Sequence, residues 1–167
     1  FRRVLFRSHF RIIHGDDRRL IVRLRHPQLC LLLLVLHAPC DDDESVLHAW
    51  WKQTSSLIPS SFASWSWLVM TDANSRVGTV RSQAVGPEGA EHENLRGSLF
   101  HEWLLQHNLW LPQTFDSTHT GSHVTWKHPS QGQGRIDYIA ISSDVSNSNV
   151  QSWVHDKIDL SLAREDH

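Results

Sequence analysis

Residues 29–36 read LCLLLLVL, and this uncharged run constrains the fold more than any other segment. Eight residues fall short of the roughly 20 that a membrane-spanning helix needs. Arg-rich sequence precedes the run, and Leu36-His37-Ala38 faintly resembles a small-residue cleavage site. The basic stretch is itself strand-like and too long for a signal n-region, so a buried strand is the better reading. A secreted binding module built on the run is the competing one, and it requires cleavage after Ala38. As a strand, LCLLLLVL is expected to be covered on both faces, because an apolar run without alternation has no solvent side.

Two further strand-like runs precede it, at residues 9–14 and 20–25, separated by the turn chemistry of Gly15-Asp16-Asp17 and His26-Pro27. Alternation of Leu20, Val22 and Leu24 against Ile21, Arg23 and Arg25 marks a half-exposed strand. After the run, Asp41-Asp42-Asp43-Glu44 supplies an N-cap and a negative first turn for a helix to about Leu57, with Val46, Leu47, Trp50 and Trp51 as its buried stripe. Trp67-Leu68-Val69-Met70 reads as the next buried strand, delivering Thr71-Asp72-Ala73-Asn74 at its end. Residues 75–92 read as loop. A second helix begins near Asn94, with Leu95, Leu99, Trp103 and Leu104 at helical spacing, and ends near His107-Asn108. Short strands are expected around Thr114-Phe115, at 124–126, at 135–141 and near 150–154. The pattern is a layered α/β or α+β arrangement without internal repeats.

With 167 residues, the chain is of one-domain size, and 40 % hydrophobic against 20 % charged residues describes a globular protein. Residues 1–8, FRRVLFRS, have no clear period or cap and look like translated adapter sequence, so they are expected to be a non-native leader. A net charge of -2 argues against a binder held to nucleic acid by bulk positive charge, yet the average hides an asymmetry. Residues 1–28 carry eight Arg against Asp16 and Asp17, or +6, and the remainder carries -8. Cys30 and Cys40 lie in or beside the apolar run, which argues against a disulfide framework and favours a reducing compartment.

Acidic residues where strands end are the chemical signal: Asp72 with Asn74, Asp137 within RIDYIAIS, and Asp166 beside His167. Taken singly, each reads as a cap or a buried hydrogen bond. The set resembles the endonuclease/exonuclease/phosphatase family, metal-dependent phosphodiesterases that include apurinic endonucleases and the endonuclease domains of non-LTR retrotransposons. The resemblance runs in order over residues 29–167. LLVLHAP is similar to the family's strand ending in Tyr-Ala-Pro, and LVMTDANSRVG to its Gly-Asp-Phe-Asn segment. ENLRGSLFHEWLLQHNLWLPQTF resembles the helix opening Asn-x-x-Gly and the Leu…Asn-Thr-Phe after it, HVTWKHPSQGQGRIDYIAIS resembles Thr-Trp…Arg-Ile-Asp-Tyr-Ile, and EDH the closing Ser-Asp-His.

The resemblance implies a four-layer α/β sandwich, two β-sheets face to face with helices outside. It implies phosphodiester hydrolysis with Mg²⁺ or Mn²⁺, acting on DNA, with an intracellular, nuclear location and fusion to a reverse transcriptase in the parent protein. Such chemistry needs a divalent cation on the phosphate oxygens, a base for water and a donor toward the phosphate. Asp72 would orient or deprotonate the attacking water, and Asn74 would position water and phosphate. Asp137 would orient His167 against the scissile phosphate, and Asp166 would belong to the metal site. Trp126 and Arg135 would lie at the substrate, while Thr125 and Tyr138 would be structural.

The family's Tyr is His37 here, which still donates a hydrogen bond. Thr71 replaces the Gly of Gly-Asp-x-Asn, which tightens the turn but keeps both polar side chains. Residues 1–36 contain no match to the family's early Asn or its metal-binding Glu, since Asp16 and Asp17 read as turn residues. The expectation is therefore that residues 9–167 are a partial domain, incomplete at the N-terminus and at the C-terminal end. A non-catalytic remnant of the same fold, or a phosphoinositide or sphingomyelin phosphoesterase of the same family, is the alternative to a DNA endonuclease. His119-x3-His123 has zinc-ligand spacing, but no Cys or second His pair accompanies it. Of the eight Trp, residues 50, 51, 67, 103 and 126 fall on expected core faces, which favours packing over base stacking.

Overall fold

Turn chemistry folds the first three runs into an antiparallel meander. In the computed structural model, which describes residues 9–128, 132–145 and 150–155, these are β1 (Phe10–Gly15), β2 (Arg19–His26) and β3 (Leu29–His37). Asp16 shapes the first turn. Its carboxylate lies 2.9 Å from His14 Nε2 and accepts from the Arg18 N–H at 2.8 Å and from Arg19 at 3.0 Å. These bonds, the one to His14 foremost, hold its carboxyl well below the usual carboxylate range.

β3 pairs in parallel with β4 (Ser66–Asp72), and a parallel pair needs a crossover. Helix α1 (Glu44–Ser56) supplies it, capped by Asp43, whose Oδ1 accepts from the N–H groups of Ser45 and Val46 at 2.8 and 3.4 Å. β8 (Asp137–Ser142) runs antiparallel beside β4, and β5 (Leu109–Trp110) closes that edge, giving the order β1-β2-β3-β4-β8-β5. A separate ribbon pairs β6 (Trp126–His128) with β7 (Gly132–Gly134).

Alternation along the strands decides the core. Leu32, Leu34 and Leu36, Trp67 and Val69, and Tyr138 and Ala140 form one buried face beneath α1 and α2 (Leu95–Gln106). The two helices meet through Trp51, whose ring packs 5.3 Å from Phe100 and 4.8 Å from Trp103. Each such side chain contributes roughly 1.5–3 kcal/mol by leaving water. On the opposite face Leu29, Val35, Met70 and Ile139 are exposed. The expected cover on both faces of LCLLLLVL is thus found on one among the described residues, because both helices lie on the same side. The α/β class stands: sheet and helices are two of the four layers that the resemblance implies.

Several local expectations shift. Val46 is exposed, since the stripe of α1 runs through Leu47, Trp50, Trp51 and Thr54, a quarter-turn away. Thr114 lies in a 3-10 turn (Pro112–Thr114) rather than a strand, its hydroxyl donating to the Leu111 carbonyl at 2.8 Å and accepting from the Gly86 N–H at 2.8 Å. The strand expected at 124–126 begins instead at Trp126, and that expected at 150–154 is reduced to one bridge between Ser152 and His119. Cys30 and Cys40 are both free and exposed. Among the described residues no helix is long and apolar enough to cross a membrane.

The Asn94-x-x-Gly97 signature has a steric meaning. Asn94 caps α2, its Oδ1 accepting from the Gly97 N–H at 2.8 Å and from the Arg76 N–H at 3.2 Å, so helix and loop are tied at one atom. A Cβ on Gly97 would sit 1.9 Å from the Arg76 carbonyl oxygen. Buried His101 adds a second tie, with Nδ1 3.2 Å from Glu93 and Nε2 2.7 Å from the Ser82 hydroxyl. At the far end of α2, His107 lies between the rings of Trp67 and Trp103, each 4.9 Å away, with Nε2 2.8 Å from the Ser55 hydroxyl. Burial lowers its pKa.

Gly97→Ala should destabilise the chain by about 2–3 kcal/mol, read as a lower urea midpoint with an unchanged slope. The lowered pKa of His107 means that the unfolded chain binds the proton more readily. Its contribution to stability is then complete above the unfolded value of about 6.5 and is lost as pH falls from there toward the native value. Urea midpoints measured from pH 7.5 to 5.5 should decline, and His107→Gln should decline less steeply; an equal slope would remove His107 as a cause.

Candidate active site

Strand register assembles the site. His37 ends β3, Asp72 ends β4 and Asp137 opens β8, and the pairing sets His37 opposite Asp72 and Asp72 opposite Asp137. Directly opposed residues project to the same face of a sheet. The preceding row, Leu36, Thr71 and Tyr138, is buried under the helices, so the three polar side chains stand abreast on the other face. His37 Nε2 lies 3.7 Å from Asp72 Oδ2, an ion pair when the imidazole is protonated but longer than a hydrogen bond. His37 is exposed and Asp72 half-buried.

Asn74 fixes the exit of β4. Its φ of 47° is left-handed, a conformation Asn tolerates, and its N–H donates to Asp72 Oδ1 at 3.0 Å. Its Nδ2 donates to the Ala38 carbonyl at 2.9 Å while the Ala38 N–H donates to the Asp72 carbonyl at 2.8 Å, locking the ends of β3 and β4 together. Asn74 Oδ1 is left without a partner among the described residues. The Ala73 N–H reaches the Ile136 carbonyl at 2.8 Å, and the Thr125 hydroxyl accepts from the N–H groups of Ile136 and Asp137 at 3.1 and 3.2 Å, setting where β8 begins.

Beneath this row lies a buried polar frame. The Tyr138 hydroxyl is 2.8 Å from the Arg135 carbonyl and 3.1 Å from that of Ser75, and burial pushes its pKa up. Arg135, carried over as a substrate contact, is 2 % exposed, and its guanidinium donates to the carbonyls of Gln113, Glu88 and Gly89. Its Nε is buried without a partner among the described residues, and its main-chain N–H donates to Glu91 Oε1 at 2.7 Å. Trp126 is half-buried at the head of β6. Asp166 and His167 lie outside the described residues. The rings of His119 and His123 lie 4.9 Å apart, tilted to each other, but the nitrogens of His119 meet Ser152 and the Ser122 carbonyl at 2.9 and 3.0 Å, while His123 Nε2 lies 3.2 Å from Glu88.

Among the described residues no three His, Cys, Asp or Glu side chains converge on a point that could hold a metal ion. Asp72 and Asp137 are hard oxygen donors of the kind Mg²⁺ takes, but two carboxylates are an incomplete set. What the row does offer is carboxylate acceptors beside an imidazole, able to hold and deprotonate a water. Sequence reasoning passed over Ala38, Ile136 and Glu91. The first two act through main-chain groups, which leave no mark in a sequence, and Glu91 lies in a stretch without periodicity.

No protein-family model matches the chain, and no curated protein does. Solved structures do. The endonuclease domain of TRAS1, a telomere-specific non-LTR retrotransposon, aligns with a TM-score of 0.54 and 15 % identity, over 78 % of this chain and 52 % of that one. A β-hairpin deletion mutant of β toxin from Staphylococcus aureus aligns at 0.50 and 13 %, over 90 % and 52 % of the two chains. An endonuclease/exonuclease/phosphatase family protein from Leptotrichia buccalis aligns at 0.47 and 14 %, over 74 % and 40 %. The chain shares its fold with the TRAS1 endonuclease domain and β toxin structures. This chain spans about half the length of the TRAS1 and β toxin structures.

Arg135→Met should leave three buried carbonyls unsatisfied and destabilise the chain by about 3 kcal/mol in urea unfolding. Arg135→Lys should recover little of it, because a single ammonium cannot reach all three acceptors.

Proposed function

We propose that the chain carries the reaction end of a phosphodiester hydrolase acting on DNA, an endonuclease of the retrotransposon type. The observation behind this reading is the row His37, Asp72 and Asp137, set abreast by register with Asn74 bound to Asp72. In this reading Asp72, held through Oδ1 by the Asn74 N–H, takes the proton of the attacking water at Oδ2 as the water oxygen bonds to phosphorus and the P–O ester bond breaks, the departing oxygen taking a proton from solvent. Asn74 Oδ1 accepts a hydrogen bond from that water, and His37 donates to a phosphate oxygen. Asp137 orients His167. Dependence on Mg²⁺ or Mn²⁺ is part of the proposal, with Asp166 as the further oxygen donor; such an ion supplies charge stabilisation at the phosphate when bound. A nuclear location and a reverse transcriptase fused in the parent protein go with it.

A non-catalytic remnant of the fold is the second reading, since residues 1–36 hold no match to the family's metal-binding Glu. Nicking of supercoiled plasmid separates the two. The expected result is relaxation in Mg²⁺, none in EDTA, and a loss of at least about 100-fold in Asp72→Ala, the scale of a general base. No nicking at any metal concentration, together with no phosphate released from phosphoinositide vesicles, establishes the remnant. An intact plasmid with phosphate released from phosphoinositide vesicles moves the substrate to lipid.

A further inference from the structure

The excess positive charge of residues 1–28 has a folded counterpart on the β1–β2 hairpin. Arg11 and Arg23 are direct cross-strand partners, and Arg25 shares their face two residues on, its N–H donating to the His9 carbonyl at 2.9 Å. Like charges directly opposed across two strands repel and destabilise the pair. Among the described residues none of these three arginines has an acidic partner; the nearby ion pairs of Asp16 go to His14 and Arg19.

Arg19 lies on the same face and shows what covered arginines do here. It is buried under α1, donating to Thr54 Oγ1 at 2.9 Å and Gln53 Oε1 at 3.2 Å, with its guanidinium 4.5 Å from the Trp50 ring centroid. Ile21, next on that face, is still fully buried; farther along, Arg23 is half-buried and Arg11 and Arg25 are exposed. Protection of a sheet edge accounts for only part of this. Charge on an edge strand discourages unwanted pairing, which suits Arg11 on β1. Arg23 and Arg25 lie on β2, which is paired on both sides.

We propose that Arg11, Arg23 and Arg25 form a docking strip for the phosphate backbone of a nucleic-acid duplex, on the opposite face of the sheet from His37, Asp72 and Asp137. Residues two apart on a strand are about 7 Å apart and neighbouring strands about 5 Å, so the three guanidinium forks are spaced to take separate phosphates. An anionic membrane is the weaker partner, because a membrane patch needs apolar anchors beside its cations. The exposed apolar residues of the hairpin, Phe10, Ile12 and Leu20, project to the other face. The strip does not depend on hydrolysis, and the remnant reading would retain it.

The test is binding of a short fluorescent DNA duplex to the full chain by anisotropy, in EDTA, across a series of salt concentrations, so that cleavage plays no part. Replacing all three arginines (Arg11→Gln, Arg23→Gln, Arg25→Gln) should weaken binding at least tenfold at low salt. It should flatten the slope of log K against log salt by about 2–3, near 0.9 for each phosphate contact. Its melting temperature should equal or exceed that of the parent, since a repulsive pair is gone. Arg23→Gln alone, which serves if the triple variant fails to fold, should flatten the slope by about 1. A folded triple variant with affinity within twofold of the parent, an unchanged slope in Arg23→Gln, or tighter binding to phosphatidylserine vesicles than to the duplex would each overturn the proposal.

Discussion

Leu34 pairs with Val69, and Val69 with Ala140, so one row of three fully buried side chains crosses β3, β4 and β8. The rest of the molecule depends on this register. A slip of one residue in β4 would turn Met70 and Asp72 toward the helices and expose Trp67 and Val69. Burying the Asp72 carboxylate without a partner is far costlier than the apolar burial lost. Hydrophobic alternation thus does chemical work at a distance: by fixing which face of each strand is dry, it sets His37, Asp72 and Asp137 side by side at the other face.

Register alone leaves the loops undetermined, and buried polar groups settle them. Asn94 Oδ1 joins the start of α2 to Arg76, His101 joins α2 to Ser82 and Glu93, and Arg135 gathers the carbonyls of Glu88, Gly89 and Gln113. Each tie connects segments distant in sequence, and each leaves an unsatisfied group if broken, which is why a long segment without regular structure keeps one conformation. The same segment supplies Ser75, whose carbonyl meets the Tyr138 hydroxyl beneath the candidate site.

Charge is divided between the faces. On one face, carboxylates and an imidazole gather where β3, β4 and β8 meet their loops; on the other, arginines gather on the hairpin beyond the reach of α1. A net charge near zero conceals two local fields of opposite sign, and the fold keeps them apart.

The sequence by itself determined the elements. The strands at 10–15, 19–26 and 29–37 follow from turn residues and apolar alternation, and the caps at Asp43 and Asn94 from local side-chain geometry. These are near-neighbour effects, and the family resemblance in Asp72, Asn74 and Asp137 is equally a matter of short motifs. Tertiary structure decided the rest. It exposed Val46 on α1, drew Thr114 into a 3-10 turn, put Arg135 inside the protein, and paired Arg11 with Arg23. It also set His37, Asp72 and Asp137 in one row. Each outcome depends on which residue of a distant segment lies opposite, and strand register and helix cover determine that only once the sheet is assembled.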